Sequence, residues 1–240
     1  MKNKYTFNKE YFNNIDTEEK AYILGFLYAD GNISDTTKDK HYRIRILLKD
    51  SDSDILDKIK LCISYTGQVK HREQKYKDKR RSGYKISELA INSKILHEQL
   101  QKHGIAPNKT FKIKYPNIPQ NLDRHFIRGF FDGDGSIYLR KNRPNGFRAN
   151  LTCASKEFLE VVSEKIIYNT KINNCNVNIT KNMYRIDKDK NDAIKILNWL
   201  YEDSNIYLNR KYEMYTRVKM SLLAETPKVE RAKSVEGLAS

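Results

Sequence analysis

The sequence predicts an α+β protein of two pseudo-symmetric αββαββα halves, each an antiparallel sheet covered on one face by helices. Three observations carry this. One short stretch occurs twice, as Ile23-Leu24-Gly25-Phe26-Leu27-Tyr28-Ala29-Asp30-Gly31 and as Ile127-Arg128-Gly129-Phe130-Phe131-Asp132-Gly133-Asp134-Gly135. The copies share Ile23/Ile127, Gly25/Gly129, Phe26/Phe130, Asp30/Asp134 and Gly31/Gly135 at a constant offset, the signature of an internal duplication. After each copy the apolar period changes from 3.6 to 2 and back, and Pro116 and Pro119 mark a linker at 112–121 between the copies.

Taken in order, residues 1–15 are polar and aromatic and are expected to wrap the surface. Asp16, with Glu19 three positions later, has capping-box spacing for a helix running to about Ala29, which Gly31 should end. Strands are expected at 31–36 and 42–48, a helix at 53–64, a second strand pair at 68–74 and 84–91, and a helix at 93–103. The order then repeats: helix 122–133, strands 136–141 and 147–153, helix 156–168, strands 174–180 and 183–187, helices 190–202 and 209–223. The domains are therefore expected as 1–111 and 122–224 about the linker, with 225–240 a disordered tail because it lacks apolar periodicity.

Helices on one side of each sheet leave the other side open, and strand alternation places polar and basic residues there. In the first half these are Arg43, Arg45, Gln68, Lys70, Arg72 and Lys85. In the second they are Arg140, Arg148, Asn150, Thr152, Asn176, Asn178, Thr180 and Arg185. Such side chains carry donors that fit base edges, although a solvated sheet face is polar in any protein.

The charge narrows the choice of partner. Lys and Arg number 45 against 30 Asp and Glu, a net +15, and an excess of this size suits a polyanion such as nucleic acid. No basic amphipathic helix points to a membrane surface, and no window has the ~18 apolar residues of a membrane span. Cys62, Cys153 and Cys175 form no CxxC pair and read as reduced thiols. The N-terminus lacks the apolar run of a signal peptide, so an intracellular place, cytoplasmic or organellar, is expected.

The repeated stretch suggests chemistry as well as symmetry. Glycine at mid-helix costs about 1 kcal/mol against alanine, a cost that makes sense if Gly25 and Gly129 let two helices touch. Helices paired in this way would bring Asp30 and Asp134 together, where a cation must separate the two charges. Oxygen ligands favour a hard ion, and Mg²⁺ binds one or two carboxylates together with phosphate and water. A calcium loop at Asp132-Gly133-Asp134 fails, because Arg143 stands where a bidentate glutamate is needed.

Both stretches resemble the LAGLIDADG motif, and over residues 15–223 the chain resembles the monomeric, two-motif LAGLIDADG homing endonucleases. The departures are Tyr28 in place of the first motif aspartate and Arg128 at the second motif position. The resemblance implies that the motif helices form the interface between the halves. It implies that Asp30 and Asp134 bind Mg²⁺, with Mn²⁺ able to substitute, assisted by the carbonyls of Ala29 and Gly133. It also implies that the two sheets form a saddle on the major groove of double-stranded DNA, reading a long asymmetric target cut to short 3′ overhangs. The family places a basic residue from each half beside the metals. Asn108-Lys109-Thr110-Phe111 matches Asn209-Arg210-Lys211-Tyr212, which suggests Lys109 and either Arg210 or Lys211. The competing expectation is an intron RNA maturase or another non-cleaving binder of the same fold. The lack of Cys or Ser at residue 1 and of a terminal His-Asn weighs against an intein-embedded domain.

Overall fold

The structure, a computed structural model, describes residues 5–36, 41–75, 83–105, 113–140 and 146–225. Lys109, the hairpin tip at 76–82 and the tail from 226 lie outside the described residues.

Helix α1 (Glu18–Asp30) begins one residue later than expected. Its N-cap is Thr17, whose hydroxyl accepts from the Lys20 amide at 3.3 Å, while Asp16 pairs with the Lys20 ammonium at 2.7 Å. Gly31 does not take the left-handed conformation of a helix-ending glycine; it is extended and opens β1 (Gly31–Thr36). There follow β2 (His41–Lys49), a 3₁₀ turn at Asp50–Asp52, α2 (Asp54–Cys62), β3 (Lys70–Gln74), β4 (Tyr84–Asn92) and α3 (Lys94–Lys102). The second half repeats the order as α4 (Asp123–Asp134), β5 (Gly135–Leu139), β6 (Phe147–Cys153), α5 (Lys156–Thr170), β7 (Val177–Thr180), β8 (Met183–Asp189) and α6 (Lys190–Tyr201), with α7 (Asn209–Glu225) added.

Each half holds one four-stranded antiparallel sheet, ordered β1-β2-β4-β3 and β5-β6-β8-β7. Registers correspond: Ile46 lies opposite Gly31 and Leu89, as Leu151 lies opposite Gly135 and Ile186. Ile33, Ile44, Ile46, Leu89 and Ile91, and in the other half Ala149, Leu151 and Ile186, are buried under the helices. The opposite faces stay open, giving a saddle-like surface. No described helix is long and apolar enough to cross a membrane. The three cysteines carry no disulfide.

Two expectations need correction. The N-terminal segment does more than wrap the surface: Tyr11, Phe12 and Ile15 are buried in the core. Its backbone is held there by the Gln99 side chain, which accepts from the Phe12 amide at 3.2 Å, and by His103 Nε2 against the Phe12 carbonyl at 2.8 Å. Lys85 does not share the open face with Arg43 and Arg45. It lies opposite Glu73, on the side of the sheet that carries Leu89 and Ile91, because odd-numbered residues of β4 face the helices. Ser87 follows the same phase and is fully buried, bonded to Asp50 at 2.5 Å.

Candidate active site

Helices α1 and α4 meet backbone to backbone. A Cβ added to Gly25 would stand 1.9 Å from the Phe126 carbonyl oxygen, and one added to Gly129 would stand 2.0 Å from that of Tyr22. These contacts exchange under the motif offset, so a pseudo-two-fold axis passes between the helices. Both helices end on their aspartates, and the ends converge. A Cβ on Gly133 would fall 2.2 Å from the Ala29 Cβ and 3.2 Å from Asp30 Oδ2. Asp30 and Asp134 are both exposed. Helix C-termini carry partial negative charge, and neither helix has a basic residue in its last turn. Two carboxylates and two helix ends thus concentrate negative charge at one point.

Lys211, from α7, brings a cation to this point. Its Nζ donates to the carbonyls of Phe131, Asp132 and Gly135 at 2.5, 2.6 and 2.6 Å, capping α4 and the start of β5. Burial pulls its pKa down to about 8, against the opposing charges of Asp132, Asp30 and Asp134. Arg210 is elsewhere. Its guanidinium makes a two-point bridge to Asp52 at 3.0 and 2.9 Å, joining α7 to the 3₁₀ turn of the first half. Of the two candidates left open by the sequence, Lys211 is the one at the paired helix ends.

The Lys211 shift has a consequence for stability. From pH about 8 to its ordinary 10.5, the unfolded chain holds this proton more tightly than the folded one. The cost of burying the cation is therefore fully present below the folded value and is relieved as pH rises through this window. Comparing wild-type and Lys211→Met urea midpoints at about pH 7 and about pH 10 should show wild-type stability gaining relative to the variant. Parallel pH dependence of the two would contradict it.

The two departures from the motif prove structural. Arg128 is fully buried; it donates through Nε to Ile206 O at 3.0 Å, through Nη1 to Leu200 O at 2.8 Å and through Nη2 to Glu18 at 2.6 Å. Asp132 accepts from Tyr22 Oη at 2.7 Å, Tyr201 Oη at 2.5 Å and the Leu208 amide at 2.7 Å. Burial raises its pKa. Tyr28, at the matching position, instead donates to the His103 carbonyl at 2.5 Å. Each thus ties its motif helix to the segment after the third helix of its half, α3 or α6, with donor and acceptor exchanged. In the sequence match the counterpart of Leu208 is Pro107, which has no N–H to offer a carboxylate.

On the open faces, the register places Arg43 and Arg45 with Lys70 and Arg72, and Arg148, Asn150 and Thr152 with Asn178, Thr180 and Arg185. Gln68 and Asn176 precede β3 and β7 and are exposed; Arg140 follows β5 and pairs with Asp189 at 2.9 Å. Sequence reasoning passed over Asn32 and Ser34 of β1, which lie opposite Arg45 and Arg43. It also passed over the acids Glu88, Asp187 and Asp189. The same alternation marks all of them, once residues other than bases are counted.

Comparisons with known proteins agree with this geometry. Residues 121–194 match the family model of the LAGLIDADG-like domain. The chain is 27% identical over 129 residues to an intron-encoded DNA endonuclease, ai2b, of Dictyostelium discoideum, covering 53% of this chain and 49% of that protein. It is 26% identical over 211 residues to a probable translation initiation factor IF-2 of Methanocaldococcus jannaschii, covering 84% of this chain and 15% of that protein. The chain thus spans half or less of these relatives. Among solved structures, the meganuclease I-SmaMI bound to uncleavable DNA superimposes with a TM-score of 0.57 at 13% identity, covering 90% of this chain and 96% of that one. The N-terminal LAGLIDADG domain of WhiA superimposes at 0.50 with 16% identity, covering 86% of this chain and 93% of that one. At such identities the likeness is one of fold.

The second half carries the matched LAGLIDADG-like domain, and the first half repeats its order of helices and strands. Together the comparisons place a LAGLIDADG-like domain at residues 121–194 and show that the whole chain shares the fold of solved LAGLIDADG proteins.

Proposed function

We propose that this protein is a site-specific DNA endonuclease, acting as a monomer to make a double-strand break with short 3′ overhangs in a long, asymmetric target. The observation that carries the reading is the convergence of Asp30 and Asp134 at the touching ends of α1 and α4, between two arginine-bearing sheet faces. Two distinct halves, 1–111 and 122–224, would each meet a different half-site, which accounts for the asymmetry. Intron homing is the matching genetic role, with an intracellular location.

The donor set fits Mg²⁺, with Mn²⁺ as substitute. Asp30 and Asp134 supply hard oxygens at a doubly negative helix end. No cluster of three or more His, Cys, Asp or Glu side chains that could hold an ion occurs among the described residues. Mg²⁺ characteristically binds one or two carboxylates together with water and substrate phosphate. Ala29 and Gly133 would add the carbonyls. An ion held there would supply an activated water and charge stabilisation for the leaving oxygen of a phosphodiester. Lys211 fixes the end of α4 through its three carbonyls and keeps a positive charge beside the scissile phosphates; Lys109 would serve the other half. The open faces, with Arg43, Arg45, Lys70, Arg72, Arg148 and Arg185 among their residues, would supply phosphate and major-groove base contacts.

The test is incubation of the purified protein with a target-bearing plasmid and Mg²⁺. A double-strand break that EDTA prevents and Mn²⁺ restores is the expected result. Sequence-selective binding with no cleavage under any divalent ion would instead assign the fold to a maturase or another non-cleaving role.

A further inference from the structure

The open faces are basic, yet each is built around buried or half-buried carboxylates. Glu88, only 4% exposed, lies among three guanidiniums: Arg43 Nη2 donates to its Oε1, Arg45 Nε stands 3.3 Å from the same oxygen, and Arg72 Nη2 stands 3.2 Å from Oε2. In the other half, Arg148 grips Asp189 through Nε at 2.5 Å and Nη2 at 3.0 Å. Asp187 Oδ2 lies 3.4 Å from Arg148 Nη1 and 3.3 Å from Arg185 Nη2.

The two arrangements are not copies of each other. Glu88 lies opposite Leu47, whereas the matching position of the second sheet, opposite Thr152, holds Arg185. Asp187 lies opposite Asn150, where the first sheet has Ala90 opposite Arg45. The networks are also incomplete: Arg45 Nε, Arg185 Nε and Asp187 Oδ1 are buried atoms with no hydrogen-bond partner among the described residues. Buried polar atoms are normally satisfied, so a face with such atoms is short of a ligand's donors and acceptors.

Phosphate binding alone gives no reason for these acids. Each one lowers the positive charge that attracts a polyanion and repels phosphate directly. A carboxylate does, however, hold a guanidinium in a fixed fork, and a fixed fork can distinguish guanine O6 and N7 from other base edges. We propose that Glu88 and Asp187 are specificity-determining positioning residues that sacrifice general DNA affinity to orient the base-reading arginines, each for its own half-site. This rests on the endonuclease reading above.

The prediction has an unusual sign. Glu88→Gln keeps the side-chain shape and one acceptor oxygen. It should bind random-sequence duplex several-fold more tightly, as loss of an anion from a phosphate-facing surface requires. At the same time, its preference at base pairs of one half-site should fall by roughly tenfold. Asp187→Asn should do the same for the other half-site. Wild-type protein and both variants are bound to a double-stranded oligonucleotide library randomised over the target length. The bound pools are sequenced, and random duplex is titrated in parallel.

A purely structural role would lower stability and weaken all DNA binding evenly, without confining lost preference to one half. That outcome, or full wild-type preference in both variants, overturns the proposal. Should Glu88→Gln fail to fold, Asp187→Asn decides. A wild-type pool with no preference overturns the endonuclease reading itself, and the proposal with it.

Discussion

Replacing Gly25 by alanine should lower the stability of the protein by about 3 kcal/mol or more. In an isolated helix the same change would gain about 1 kcal/mol from propensity. Here the new methyl would meet the Phe126 carbonyl at 1.9 Å and the Phe126 carbonyl carbon at 2.9 Å. Both are backbone atoms, which cannot rotate aside as a side chain can, so the helices must separate. Since α1 and α4 carry the two aspartates, separation would also move Asp30 away from Asp134. Urea denaturation should show the loss of stability, and cleavage should fall further than the unfolded fraction explains. Gly129→Ala, whose methyl would meet the Tyr22 carbonyl at 2.0 Å, should behave alike. A stable, fully active alanine variant at either position would contradict the contact.

The second large effect is expected at Arg128. Burial lowers its pKa, and the Glu18 charge opposes that shift. Arg128→Leu leaves Glu18 without its buried partner and orphans the Leu200 and Ile206 carbonyls, which should cost about 3–5 kcal/mol. For a chain of this size each kcal/mol is about 2–4 °C in Tm, so a fall of roughly 6–20 °C is the expected reading. Glu18 also accepts from the Asn205 amide at 2.9 Å, so the segment linking α6 to α7 should loosen first. Increased amide exchange at 204–208 would report this.

Much of this architecture was legible because period and punctuation agreed. The alternation in β2 and β6 leaves a single choice of buried face, and the repeated glycines mark the α1–α4 contact. The misreadings have physical causes. In β4 the helix-side face carries Lys85 and buried Ser87 beside Leu89 and Ile91, so polarity alone gave the wrong phase at its start. Phe12 lies in the polar and aromatic stretch 1–15 that reads as surface, and its burial depends on Gln99 and His103, far along the chain. Arg210 and Lys211 are adjacent and equally basic; only the direction each leaves α7 sends one to Asp52 and the other to the motif ends. Arg128 and Asp132 looked like motif positions, yet their roles depend on partners such as Leu200, Ile206 and Leu208, which no local pattern connects to them.

In the proposed mechanism Asp30 and Asp134 form one cation-dependent cleavage centre on the pseudo-two-fold axis. It is tested most directly by measuring cleavage of both strands of a target duplex by Asp30→Asn and Asp134→Asn with Mg²⁺ in excess, alongside their affinity for the same DNA. Each single substitution should slow cleavage by about a thousandfold or more, while DNA binding stays close to that of the parent. Either variant cutting both strands at the parental rate would contradict it.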